Sequence, residues 1–61
     1  MNKPKFHYEG NVIVFFTVYQ GTKVELLRAK LVDADFENIQ RLRDIAQIEL
    51  NSFMQTMRLA A

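Results

Sequence analysis

Apolar and polar residues alternate in most strand-like stretches of this chain, but residues 12 to 19 break the rule. They read Val-Ile-Val-Phe-Phe-Thr-Val-Tyr, an almost unbroken apolar run. A strand in a small open sheet normally turns one side to the core and the other to water, so its side chains alternate. This run offers apolar groups to both faces. A short chain has little with which to cover both, so the expectation is that another copy, a partner or a ligand covers the second face.

The glycines divide the first half of the chain. Gly10 and Gly21 are its only glycines, and both fall between strand-forming runs. Strands are expected over residues 5 to 9, 12 to 19 and 23 to 31. Gly10-Asn11 suits a two-residue hairpin with glycine first, a type II′ turn, and Gln20-Gly21 or Gly21-Thr22 suits the second hairpin. Pro4 precedes the first strand, where a missing N–H costs least. With even-length loops, parity sorts the side chains. One face takes Lys5, His7, Glu9, Val12, Val14, Phe16, Val18, Lys23, Glu25, Leu27, Ala29 and Leu31. The other takes Phe6, Tyr8, Ile13, Phe15, Thr17, Tyr19, Val24, Leu26, Arg28 and Lys30. The first has the more aliphatic central strand and is expected to receive the helix, with Phe16 and Leu42 between the two layers.

The period changes after residue 32. Asp33 is a good helix N-cap, and Asp35 and Glu37 place negative charge at the positive end of the helix dipole. No glycine or proline interrupts the run to Arg58. Phe36, Ile39, Leu42, Ala46, Leu50, Phe53, Met54 and Met57 fall on one broad stripe, with Arg43 snorkelling at its edge. Ile45, Ile48 and Leu59 make a second ridge that the same sheet does not cover. A helix over residues 34 to 58 is ~37 Å long, whereas a nine-residue strand spans ~30 Å. Its C-terminal turns should therefore overhang the sheet. The fold class is α+β: a three-stranded antiparallel meander followed by one long C-terminal helix, a single domain over residues 1–61. Dimerisation is expected to complete it, through Ile45, Ile48, Phe53, Met57 and Leu59.

Size supports the same expectation. A chain of 61 residues buries only ~60% of the surface its unfolded form exposes. Small domains usually add disulfides, metals or oligomerisation. There are no cysteines and one histidine, which removes disulfides and thiolate or His-rich metal sites. The net charge of +1 is too small to point to a polyanionic partner. The apolar run is far short of the ~20 residues that span a bilayer, and no small-x-small cleavage pattern follows it. The chain reads as cytoplasmic, with no membrane contact and no cofactor.

Candidate chemistry is sparse. His7 shares a strand face with Lys5 and Glu9, a trio able to move protons, but an inert edge histidine accounts for it more simply. Asp33, Asp35 and Glu37 lack the oxygens and turn glycine of a calcium loop, and capping explains them. Ser52 and Thr56 have no histidine neighbour and no exposing turn. Met54 and Met57 read as adaptable packing groups.

The strongest candidate is the aromatic face. Phe6, Tyr8, Phe15 and Tyr19 lie there with Arg28 and Lys30, and rings beside cations stack single-stranded bases. The competing explanation is that these rings bury against a partner, with Arg28 and Lys30 guarding an edge. The leading expectation is a non-enzymatic homodimer that binds another protein as a regulator, adaptor or inhibitor. The alternative is a nucleic-acid-binding protein using the aromatic and basic face, with Arg41 and Arg43 in support.

Overall fold

The computed structural model describes residues 3–31 and 36–60. Three strands, β1 (Lys5–Glu9), β2 (Val12–Tyr19) and β3 (Thr22–Lys30), form one antiparallel sheet in the order β1-β2-β3. A single helix, α1 (Phe36–Ala60), follows. This is the expected α+β meander-plus-helix. Its N-cap, assigned to Asp33, lies outside the described residues.

Both hairpins are tight. Glu9 pairs with Val12 around Gly10-Asn11, and Gly10 has φ +64° while Asn11 does not go positive, as a type II′ turn requires. Tyr19 pairs with Thr22 around Gln20-Gly21, both with positive φ (53° and 78°), which is the type I′ pattern.

Strict parity fails in β3. Phe15 pairs with Leu27 but Phe16 pairs with Glu25, so Leu26 is an extra residue with no counterpart on β2. Such a bulge reverses the side-chain phase on either side of it. Leu27 and Ala29 therefore stand beside Phe15 and Ile13, while Arg28 and Lys30 stand beside Val14 and Val12. This corrects the assignment of both pairs. The helix is corrected with them: it covers the face of Ile13 and Phe15, which form the core with Ala46 and are flanked by Leu27, Ala29, Leu31 and Leu42. Once the phase is reversed, that face of β3 is almost wholly apolar and the other wholly charged near the bulge, so burial leaves no choice. Phe16, expected under the helix, lies on the opposite face.

Helix α1 runs over β2 and β3 rather than β1. Leu50 is fully buried, and Phe53 meets Tyr19 edge to face, ring centroids 5.5 Å apart. Tyr19 ends β2, so the helix beyond Phe53 extends past the sheet by ~10 Å at the standard rise.

Candidate interaction surfaces

The helix-free face of the sheet carries a connected set of polar side chains. The Arg28 guanidinium donates to Glu25 Oε1 through Nε at 2.9 Å and to Glu9 through both terminal nitrogens, at 3.3 and 3.5 Å. Glu9 Oε2 lies 2.8 Å from His7 Nε2, and Lys23 Nζ lies 3.4 Å from His7 Nδ1. An ammonium only donates, so Nδ1 is the acceptor and Nε2 carries the proton toward Glu9. Arg28 belongs to β3 and Glu9 to β1, so their bonds cross over β2. Lys23 sits 4.6 Å above the Phe16 ring, and His7 lies against its side at 5.3 Å.

These side chains close over the second apolar face of β2. Val14 lies between His7 and Arg28 and is buried without any help from the helix. Long polar side chains cover apolar surface with their stems while their heads stay in water. The chain thus supplies much of the cover expected from outside, although Val18 at the end of the strand remains exposed. The network also favours the ionised forms of Glu9 and Arg28. Hydrogen bonds from His7 first and Arg28 second hold the Glu9 carboxyl below its ordinary 4.5. Glu9 and then Glu25 raise the Arg28 guanidinium.

A second surface lies at the β1 margin. Phe6 and Tyr8 point to the helix side, but α1 does not reach them, and they are 52% and 54% exposed. Their rings meet edge to face at 5.8 Å, and Phe6 also touches Phe15 at 5.9 Å. Beside them is a shallow depression of about 220 Å³ lined by Lys3, Pro4, Phe6, Arg43, Asp44 and Gln47.

The third surface is the outer helix. Ile45 is exposed, Ile48 is 65% exposed and Leu59 is 81% exposed. At ~100° per residue the mean direction of these three lies roughly 120° round the helix from that of Arg43, Asp44 and Gln47, which line the depression at the β1 margin. Thr56 donates to the Ser52 carbonyl at 3.0 Å, an ordinary back-bond within the helix.

The residues expected to form one binding face are divided among these surfaces. Phe6 and Tyr8 are open at the margin, Phe15 is buried, and Tyr19 is half-buried against Phe53. Arg28 and Lys30 are on the opposite side of the sheet. Of the expected dimer contacts, Ile45, Ile48 and Leu59 are on the outer ridge, Phe53 faces its own sheet, and Met57 is half-buried. Arg41 and Arg43 are exposed on different sides of α1, and Arg41 donates to the Asn38 amide oxygen.

The polar network is what parity reasoning missed. Its signal was present: the charged positions of β3 are odd at Lys23 and Glu25 but even at Arg28 and Lys30. Among the described residues no three His, Asp or Glu side chains converge to hold a metal, and no helix is long and apolar enough to cross a membrane. Comparison with known families, characterised proteins and solved structures found no match to this chain.

Proposed function

We propose that this protein is a non-enzymatic, cytoplasmic interaction module that works as a homodimer and acts by binding another protein. One observation carries the reading: two separate patches stand out among the exposed large apolar side chains, which also include Val18 and Phe36. Phe6 and Tyr8 form one at the β1 margin, and Ile45, Ile48 and Leu59 form the other on the outer helix. A two-fold dimer uses the same patch on both subunits, so one patch suffices for self-association. The other is then available to a different chain.

The outer ridge suits a helical partner. Ile45, Ile48, Ser52, Gln55 and Leu59 follow one another at spacings of three and four, the seam that a second helix packs along. The nucleic-acid alternative has less support, because Phe6, Tyr8, Phe15 and Tyr19 stand on the face opposite Arg28 and Lys30, and Arg28 is engaged by two carboxylates. A composition free of cysteine is compatible with the cytoplasmic placement.

Photo-reactive residues placed separately at positions 8 and 48, in the native host, test the assignment. Position 8 is expected to give adducts at twice the 7.2 kDa chain mass. Position 48 is expected to give adducts whose mass increment identifies a different protein. Self-adducts alone at position 48 would make the outer ridge the dimer contact and remove the partner surface.

A further inference from the structure

We infer that the second copy joins at the free edge of β1, antiparallel and centred on His7, to make one continuous six-stranded sheet. The inference rests on the homodimeric reading above and gives it a geometry. The backbone decides which edge groups are open. Asn11 O accepts from Leu31 N at 2.7 Å, so odd-numbered residues at the start of β2 bond toward β3 and even-numbered ones toward β1. Val12, Val14 and Phe16 are paired with Glu9, His7 and Lys5, and these three use their backbone groups inside the sheet. The N–H and C=O groups of Phe6 and Tyr8 therefore point outward, in the array that another strand recognises.

The strand is self-complementary in that register. A two-fold axis through His7 sets Phe6 opposite the second copy's Tyr8, as a hydrogen-bonded pair that joins the outward backbone groups of both. It sets Lys5 opposite the second copy's Glu9, cation against anion, on the other face. Any other antiparallel register that respects the backbone phase shortens the overlap of a five-residue strand. Glu9 retains room for Lys5, because a carboxylate has about four acceptor positions and Arg28 and His7 use three contacts. Aromatic and opposite-charge cross-strand pairs both favour association.

The other edge is less suited. β3 carries the bulge at Leu26 and presents Lys23, Glu25, Arg28 and Lys30, and bulges and charged side chains both discourage strand addition. With the axis perpendicular to the sheet at β1, both helices lie on the same side. The exposed rings of the two copies meet on the floor between them, and each outer helical ridge remains accessible.

Disulfide trapping in the full chain tests this geometry. His7 would face its own symmetry mate in a non-hydrogen-bonded pair, with Cα atoms ~4.5 Å apart, within disulfide reach. His7→Cys is expected to form a covalent dimer under mild oxidation, whereas Thr22→Cys on the β3 edge and Ile48→Cys on the helix are not. Lys5→Glu, which touches none of the network hydrogen bonds described, is expected to weaken self-association on the order of tenfold by opposing like charges. Lys5→Arg, which keeps the cation, should leave self-association close to that of the wild type. A wild-type protein that sediments as a 7.2 kDa monomer would overturn the homodimer and this pairing together. A dimeric wild type whose Ile48→Cys variant cross-links while its His7→Cys variant does not would overturn the pairing and leave the homodimer standing. Indifference of a dimeric protein to Lys5→Glu would have the same consequence.

Discussion

Ile13 and Val14 are neighbours in β2, and both are withdrawn from water, with 0% and 1% of their surface exposed. They reach that state by different means. Ile13 lies under α1 beside Phe15 and Ala46, an apolar contact between segments far apart in the chain. Val14 lies under the side chains of the two strands that flank it, His7 from β1 and Arg28 from β3. The first kind of cover is close-packed and indifferent to salt and pH. The second is a layer of charged groups with water above it, held by ion pairs that are individually weak when exposed. An apolar strand with two apolar faces therefore does not by itself require a second chain.

The largest expected effects lie under the helix. Phe15→Ala and Leu50→Ala should each cost about 3–5 kcal/mol in chemical denaturation, through lost burial and the cavity left behind. Val14→Ala should cost about 1.5 kcal/mol, two methyl groups at ~0.8 each, because the side chains above it have room to settle. Equal losses at Phe15 and Val14 would erase the distinction between the two kinds of cover.

A double-mutant cycle sharpens the contrast at smaller amplitude. Arg28→Ala removes part of the layer over Val14, so Arg28→Ala and Val14→Ala should be non-additive. Arg28→Ala and Leu50→Ala should add, since neither shares partners with the other. Coupling of Arg28 to Leu50 as strong as its coupling to Val14 would mean that the layer is not a local cover.

The smallest effect is acid sensitivity. Glu9 has a lowered pKa in the folded state, so its contribution is fully present above the unfolded value. It is lost as pH falls through the folded value, in a window reaching below 4.5. Arg28 is raised by Glu9 and Glu25, so on the alkaline side its contribution fades only in strong alkali, while on the acid side it is lost together with the carboxylates that hold it. Denaturation midpoints followed downward from about pH 6 should fall less steeply in Glu9→Gln than in the wild type. An unchanged slope would detach Glu9 from folding.

Element order was legible because it depends on local signals. Gly10 and Gly21 mark the turns, and the apolar run of β2 and the uninterrupted stripe of α1 fix the types of the elements between and after them. Which face met the helix was legible only to a reading that allowed the charged positions of β3 to change phase between Glu25 and Arg28. Holding one parity through Leu26-Leu27 placed Arg28 and Lys30 on the face of Phe15 and built an aromatic and basic platform that the fold divides. The cover over Val14 was a different kind of omission. It depends on how far the Arg28 side chain reaches across β2 to Glu9, and spacing along the chain carries no record of that.

Leu26 is surplus to the pairing of β3 with β2. A strand shorter by this one leucine would run opposite β2 without interruption, Glu25 still across from Phe16 and Leu27 still across from Phe15. Every other side chain would keep the face it now holds. The sheet thus absorbs an added residue as a local bend, where a strand forced to stay regular would shift frame and carry Arg28 and Lys30 beneath α1. For this fold, then, a one-residue change of length at that point is a smaller event than exchanging the charged and apolar residues that follow it.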